Sequence, residues 1–200
     1  MKYPLIGLSL GLVVAACATS YDPLDDYEEL TPTRVMEAPA MHPDQAKAQD
    51  PALLEHGRYL VELIGCPVCH TDGALVGEPK LDHWLAGSEI GIAYSNPLKY
   101  DNPGVVFPSN LTPDPKTGIG RWSDDAIVKA MREGLGRHGR GLIQVMPWLV
   151  YESISDADTR AIVAYLRSLP PIEHKVPDKV PPGSKTDEFF VHFGVYRSRR

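Results

Sequence analysis

The stretch Cys66-Pro67-Val68-Cys69-His70 decides how this chain of 200 residues folds. Two cysteines stand three positions apart and a histidine directly follows the second one, which gives the pattern CxxCH. Thiols and imidazoles bind metals, take part in redox reactions or become attached to a cofactor. Three chemistries therefore have to be compared at this stretch.

Covalent attachment of haem accounts best for the motif. The two thiols can reach the two vinyl groups on one haem edge, and His70 is then carried under the ring to ligate iron. A zinc site needs four ligands, commonly two CxxC-type pairs, and the one other cysteine, Cys17, lies in an N-terminal apolar segment. A thioredoxin-like CxxC is expected beside a βαβ pattern, whereas a helical pattern precedes this motif. The motif therefore predicts one covalently bound haem c.

A helix is predicted directly before the motif. Asp50 supplies an N-cap and Pro51 stands at the first helical position. The pattern continues up to Gly65 with a period typical of one helix face. The residues predicted on that face are Leu53, Gly57, Leu60 and Ile64. This helix would deliver the two cysteines at its C-terminal end.

Two later helices complete the predicted framework. One begins at Ser123, where two aspartates in the first turn favour the helix dipole, and its inward residues are Ile127, Met131 and Leu135. The other begins at Ser155, which can form a capping box with Asp158, and ends before Pro170. Because no segment shows sustained alternation, we predict an all-α fold of three or more helices around one covalently bound haem. The 17 glycines and 19 prolines predict long loops.

The order of these features resembles class I cytochrome c. The features are the helix, CxxCH, Pro79-Lys80-Leu81, the pair Met146-Pro147 and a closing helix. The stretch NLTPDPKTGIGRWS at 110–123 is similar to the cytochrome c subunits of bacterial membrane alcohol and aldehyde dehydrogenases. The resemblance covers about residues 50–171. It departs from the family in that many such subunits carry three haem motifs and this chain has one, and that residues 82–109 look like an added loop.

The resemblance implies roles for five residues besides the cysteines. Met146 would be the second axial ligand, and a thioether suits electron transfer because it stabilises reduced iron. The His70 ring would donate its other N–H to the carbonyl of Pro79, and Leu81 would pack on the haem ring. Trp122 either bonds a haem propionate or fills the core, since its indole is both a donor and a large apolar body.

His138 is the one serious rival to Met146 as the second ligand. Met131 is expected in the core, and Met36 and Met41 lie in the N-terminal segment. Four further histidines are expected at the surface rather than at the iron. They are His42, His56, His174 and His192.

The N-terminus has the layout of an export signal. Lys2 precedes an apolar run that ends before Ala15-Ala16-Cys17, and the run is too short to span a membrane. Residues 1–16 are therefore predicted to be a signal peptide. The sequence around Cys17 also resembles a bacterial lipoprotein box, which implies that this cysteine is lipidated.

The remaining chain divides into three parts. Residues 17–49 contain four prolines and an acidic cluster, so we predict a lipidated disordered tether. Residues 50–171 form the predicted cytochrome c domain, and residues 172–200 form a C-terminal arm that is laid on the surface or left loose.

Charge and size limit the function. A net charge of −6 without a basic stripe argues against nucleic acid as a partner. We predict a membrane-anchored protein on the periplasmic side that transfers single electrons between a dehydrogenase or quinol-linked donor and a downstream carrier or oxidase, and that is not itself an enzyme. The alternatives are a haem enzyme or a ligand-binding sensor with an open sixth coordination position.

A group of basic residues leads into Met146. They are Arg132, Arg137, His138 and Arg140, with Glu133 the one acid among them. The group is either a solvated loop or a positive collar that would steer an acidic redox partner.

Overall fold

The structure is a computed structural model. It describes residues 27–28, 30, 36–40, 50–99, 101–137, 139 and 141–193. The predicted signal peptide, the lipidation site at Cys17, Met41, His42, His138 and Arg140 lie outside the described residues. Among the described residues no helix is long and apolar enough to cross a membrane.

Three long helices begin at the predicted caps. Helix α1 covers Pro51–Leu63, α3 covers Asp124–Glu133 and α5 covers Asp156–Ser168. Asp50 Oδ1 accepts a hydrogen bond from the Ala52 N–H at 3.0 Å, which confirms the first cap. Two short helices that the sequence did not predict stand between them, α2 at Cys66–His70 and α4 at Trp148–Tyr151. Short 3₁₀ turns cover Ala74–Val76 and Leu81–His83.

The caps of the other two long helices are also confirmed. Ser123 Oγ accepts from the Ala126 N–H at 3.2 Å. The hydroxyl of Ser155 accepts from the Asp158 N–H at 3.1 Å and donates to the Asp158 carboxylate at 2.8 Å. These bonds satisfy N–H groups that the first turn of a helix leaves free.

Helices α1 and α5 cross at Gly57. A Cβ atom at this position would lie 2.0 Å from the carbonyl oxygen of Ala161 and 2.8 Å from Cβ of Tyr165. The buried residues of α1 are Leu54, Gly57 and Val61, which confirms the predicted inward position of Gly57. Leu53, Leu60 and Ile64 are half-buried, and Leu60 and Ile64 pack against the core. Leu54 and Val61 share the face of Gly57 because they lie three residues before it and four residues after it.

The core lies between α1, α3 and α5. Met131 is buried, as predicted, whereas Leu135 lies beyond the helix end at Gly134, whose φ of 64° closes α3. The largest contribution comes from α5, which buries Ala161, Ile162, Val163, Tyr165 and Leu166.

The purely helical prediction is not confirmed, because the structure contains a small sheet. Strands β1 (Gly91–Ala93), β2 (Val105–Val106) and β3 (Phe190–His192) lie in the order β2-β1-β3. β1 pairs antiparallel with β2 and parallel with β3. Strands of two or three residues are too short for a visible alternation, and β3 comes from a region about a hundred residues away in sequence.

The C-terminal arm is bound to the domain as far as the structure describes it. Val105 and Val180 exchange two backbone hydrogen bonds of 2.9 Å. His174 is buried, and its Nδ1 donates to the carbonyl oxygen of Ala86 at 2.9 Å. The expected surface position of His174 was therefore wrong, because the arm covers the added loop.

Part of the predicted tether also contacts the domain. Met36 and Ala38 are half-buried and pack against the core, and the ring of Tyr27 lies 6.5 Å from the ring of Phe190. These contacts concern only the few residues of 17–49 that the structure describes.

Candidate cofactor-binding site

The two cysteines share one helical turn. Gly65, with φ 79°, turns the chain from the end of α1 into α2, and the spacing of three places the thiols of Cys66 and Cys69 on one side of that turn. Both cysteines are free and half-buried. Burial raises the pKa of Cys66 to about 12 and also raises the pKa of Cys69. Both side chains are therefore neutral thiols at pH 7.

The imidazole of His70 is oriented by a backbone carbonyl. Its Nδ1 lies 2.7 Å from the carbonyl oxygen of Ser109. Because a carbonyl oxygen can only accept, Nδ1 carries the hydrogen and Nε2 keeps its lone pair. Burial lowers the pKa of His70, against a smaller opposite effect of this hydrogen bond, so the ring is neutral at pH 7. A neutral imidazole with a free Nε2 is a metal ligand.

The predicted hydrogen-bond partner of His70, Pro79, is wrong in this structure. Ser109 takes that place at the end of the added loop. The acceptor is a backbone oxygen, which no side-chain motif marks, and its position depends on how residues 82–109 fold. Pro79 is instead buried beside the turn at Gly73, where an added Cβ would lie 3.8 Å from the Pro79 Cα.

The added loop also holds the backbone of the motif. The Gly87 N–H donates to the carbonyl of His70 at 2.8 Å, and the Ser88 N–H donates to the carbonyl of Pro108 at 3.0 Å. At Gly87, with φ 91°, a Cβ would lie 2.9 Å from both the Asn110 nitrogen and the Pro108 oxygen. Gly87 therefore holds the backbone of His70, and Ser109 holds its ring. The hydrogen bond between Ser88 and Pro108 joins the two segments.

Asp72, which lies two residues beyond His70, belongs to the site although no sequence pattern indicated it. Its carboxylate accepts from Lys80 Nζ at 2.7 Å, from the Glu89 N–H at 2.9 Å and from Ser88 Oγ at 3.3 Å. Burial alone would raise the pKa of Asp72, but these hydrogen bonds outweigh it and lower the pKa, so the carboxylate is ionised at pH 7. The available signal was an acidic residue two positions after the motif, at the start of a stretch with two glycines and several apolar residues.

The segment that contains Met146 folds back towards the cysteines. Met146 is half-buried and packs against the core cluster that Cys66 also contacts. Five residues later, the Tyr151 hydroxyl donates to the carbonyl of Ile64 at 3.0 Å. Burial raises the pKa of Tyr151 to about 12, and the neighbouring Cys66 and Cys69 add to the shift. The choice between Met146 and His138 as a ligand stays a prediction, because His138 lies outside the described residues.

Leu81 and Trp122 are not brought into a common cluster with His70 by any described contact. Leu81 is 36% exposed in its 3₁₀ turn, and Trp122 is half-buried against the core. Trp84 is buried in the core, and its Nε1 donates to the hydroxyl of Tyr165, which is also buried, at 3.2 Å. The proposed contacts of Leu81 and Trp122 with a cofactor stay predictions.

One member of the basic group before Met146, Arg132, contacts another part of the domain. Arg132 forms an ion pair with Asp156 at 2.7 Å and also donates to the carbonyl of Ile154, so it belongs to the contact between α3 and α5. Arg137 is exposed. Arg140 lies outside the described residues, so the collar itself stays a prediction.

The donor set fits a c-type haem. Two neutral thiols on one helical turn can form thioether bonds, and Nε2 of the neutral His70 can bind iron. The part of the chain that the structure describes contains no group of three or more His, Cys, Asp or Glu side chains that could hold a metal ion.

Comparison with known proteins finds subunits of dehydrogenases among the relatives of this chain. No family model matches the chain. It is 40% identical over 127 residues to one of the subunits of nicotinate dehydrogenase of Pseudomonas putida, which covers 63% of this chain and 9% of the relative. It is 33% identical over 136 residues to the cytochrome c subunit of the quinone alcohol dehydrogenase of Gluconobacter oxydans, covering 66% of this chain and 25% of the relative.

A third relative is the gluconate 2-dehydrogenase cytochrome c subunit of Pantoea cypripedii, 35% identical over 126 residues, or 63% of this chain and 24% of the relative. The chain thus spans a quarter or less of the length of these relatives. Its predicted similarity to the cytochrome c subunits of dehydrogenases is confirmed, and the structure is consistent with a cytochrome c-like fold.

Proposed function

We propose that this chain is a monohaem c-type cytochrome that transfers single electrons between a dehydrogenase or quinol-linked donor and a downstream carrier or oxidase. The observation that carries the proposal is the neutral His70, whose Nδ1 is fixed by Ser109 beside two free thiols on one turn. The similarity to cytochrome c subunits of dehydrogenases supports the electron-transfer role. It also supports a dehydrogenase subunit as one redox partner.

Each residue of the site has a separate task in this proposal. Cys66 and Cys69 would hold the cofactor by two thioether bonds, and His70, whose Nδ1 is bound to Ser109, would ligate the iron through Nε2. Met146 would supply a second ligand from the segment that the Tyr151 hydroxyl binds to the carbonyl of Ile64 at the end of α1. When bound, the haem supplies a one-electron redox centre. With His70 and Met146 both bound to the iron, no coordination position would remain for a substrate, which would make the protein a carrier.

Binding of carbon monoxide to the reduced protein tests this function. We expect the wild type to bind the gas slowly or not at all, because Met146 occupies the sixth position. The variant Met146→Ala should bind it quickly, lose the long-wavelength thioether-to-iron band of the oxidised protein, and have a lower reduction potential. Fast binding by the wild type would contradict the carrier function and favour the enzyme or sensor alternative.

The control in this experiment is His138→Ala. It should leave both the gas binding and the absorption band unchanged. If the band is lost in His138→Ala and kept in Met146→Ala, the sixth ligand is His138 and the proposed ligand pair is wrong.

We also propose that the chain is exported and held at the periplasmic side of a membrane through a lipid on Cys17. The support is the N-terminal sequence alone, in which a short apolar run precedes Ala15-Ala16-Cys17. The variant Cys17→Ser should appear as soluble protein that still carries haem. Membrane association that is unchanged in this variant would mean that another anchor holds the protein.

A further inference from the structure

The carboxylate of Asp72 is an unusual feature of the turn that follows the motif. Its side chain is 4% exposed, although that of its ion-pair partner Lys80 is 57% exposed. The three groups that bind it, Lys80 Nζ, the Glu89 N–H and Ser88 Oγ, leave the carboxylate charged inside the domain. Burying a charge costs free energy even when the charge is paired. None of the tasks assigned above to the haem-binding residues requires the charge of Asp72.

We infer that Asp72 sets the reduction potential of the haem on His70, because its buried negative charge stabilises the oxidised iron. This inference rests on the proposed function, since it requires haem at the CxxCH motif. Oxidised haem carries one more positive charge than reduced haem, so a nearby anion favours the oxidised form and lowers the potential. Asp72 is thereby a residue that tunes the carrier rather than a ligand.

Solvent screening determines whether the ion pair of Asp72 and Lys80 acts on the iron as a net negative or a net positive charge. Asp72 and Lys80 carry opposite charges 2.7 Å apart, and they would largely cancel if both were equally buried. Charges in the interior act through a lower effective dielectric constant than charges at the surface. The exposed Lys80 is therefore screened more strongly than the buried Asp72, and the net effect on the iron is that of an anion.

The structure connects Asp72 to His70 by a short path. The carboxylate binds the Ser88 hydroxyl, and the Ser88 N–H donates to the carbonyl of Pro108. The next residue, Ser109, accepts the hydrogen bond from the His70 ring. Asp72 could therefore also act by holding the loop in place, and an experiment has to separate its charge from this holding role.

The two roles predict different signs for two substitutions. Removal of the negative charge in Asp72→Asn should raise the reduction potential, and removal of the positive charge in Lys80→Met should lower it. If the pair only holds the loop, both substitutions loosen the same contact and should shift the potential in the same direction. The double variant should fall between the two single variants.

The experiment is a spectroelectrochemical titration of the haem-loaded proteins at pH 7 and fixed ionic strength. In Asp72→Asn we expect the equilibrium constant for reduction to increase by about tenfold, and in Lys80→Met to decrease by a smaller factor. Lys116→Met is the matched control, because Lys116 forms an ion pair with Glu173 in which both side chains are exposed. It should leave the potential unchanged.

The outcomes separate this inference from the proposed function. Unchanged potentials, or shifts in the same direction for both single variants, would overturn the role of Asp72 while the function stands. If Asp72→Asn does not fold, Lys80→Met alone decides, since an unchanged or raised potential contradicts the inference. Wild-type protein without covalent haem would overturn the proposed function and this inference together.

Discussion

The cysteines and the histidine of the site are held by two different kinds of structure. The cysteines follow α1, which is fixed against α5 by a close helix crossing at Gly57. The histidine is held by hydrogen bonds from an irregular loop, with the Gly87 N–H on its backbone and the Ser109 carbonyl on its ring. The position of the thiols therefore depends on the packing of the core, whereas the orientation of the imidazole depends on the loop.

This difference predicts that stability and ligand geometry can be changed separately. A change in the helix crossing should lower the free energy of unfolding without changing the spectrum of the folded protein. A change in the loop should alter the iron environment at a smaller cost in stability.

The largest effect is expected at the helix crossing. In Gly57→Ala the new methyl group would lie 2.0 Å from the Ala161 oxygen, so the helices have to move apart. We expect a loss of about 3 kcal/mol in the free energy of unfolding, measured by chemical denaturation. Gly141→Ala is the control, because a Cβ added there would have no atom within 4 Å, and it should change stability by about 0.5 kcal/mol or less. Equal losses in the two variants would show that the crossing is not the tight contact described.

A smaller loss of stability with a spectral change is expected in the loop. In Gly87→Ala the methyl group would contact Asn110 and Pro108 at 2.9 Å and would add strain at a φ of 91°. We expect a loss of about 2 kcal/mol, together with altered visible absorption of the haem-loaded protein, because Gly87 binds the His70 backbone and Pro108 directly precedes Ser109, which binds the His70 ring.

The matched control for the loop is Gly183→Ala. Gly183 has almost the same φ, 88°, but a Cβ added there would have no atom within 4 Å. The variant should lose about 1 kcal/mol in the free energy of unfolding through backbone strain, without any spectral change. A spectral change in Gly183→Ala, or no spectral change in Gly87→Ala, would show that the loop does not determine the orientation of the His70 ring.

The smallest effect on stability is expected at an exposed hydrogen-bonded pair of side chains between α1 and α5. His56 Nε2 lies 2.7 Å from Asp158 Oδ1, and this hydrogen bond is the main reason why the pKa of Asp158 lies below its ordinary value, with a further contribution from Ser155. A carboxyl with a lowered pKa in the folded state stabilises the fold above the ordinary aspartate pKa of about 3.9, and this stabilisation is lost as the pH falls through the lower value.

The expected result is a difference in unfolding free energy between the wild type and Asp158→Asn that narrows as the pH falls below about 4. Denaturation curves at several pH values measure it. The haem spectrum should stay the same at neutral pH in both proteins. A difference that does not depend on pH would mean that the carboxylate charge contributes nothing to the fold.

The same division explains which features could be predicted from the sequence. The helix caps at Asp50, Ser123 and Ser155 are local, since each side chain bonds a backbone group two or three residues away. The CxxCH motif is equally local, and its cysteines lie on one turn directly after the predicted helix. Local patterns therefore located the three long helices and the candidate cofactor site.

The features that the sequence did not predict depend on distant contacts. Ser109 acts through a backbone oxygen 39 residues from His70, and β3 pairs with a strand about a hundred residues before it. The buried state of Asp72 is set by Ser88 and Glu89, which lie in the added loop. No spacing rule connects such partners, because the folding of the loop decides which backbone groups meet.

The mass of the intact, denatured protein tests covalent haem attachment at Cys66 and Cys69. Wild-type chains produced in a host that attaches c-type haem should carry the mass of one haem in addition to that of the processed and lipidated polypeptide, and the haem should stay bound through extraction with acidified acetone. The variant with Cys66→Ala and Cys69→Ala should lack this added mass. Wild-type protein without it, or with haem that the solvent removes, would contradict the account.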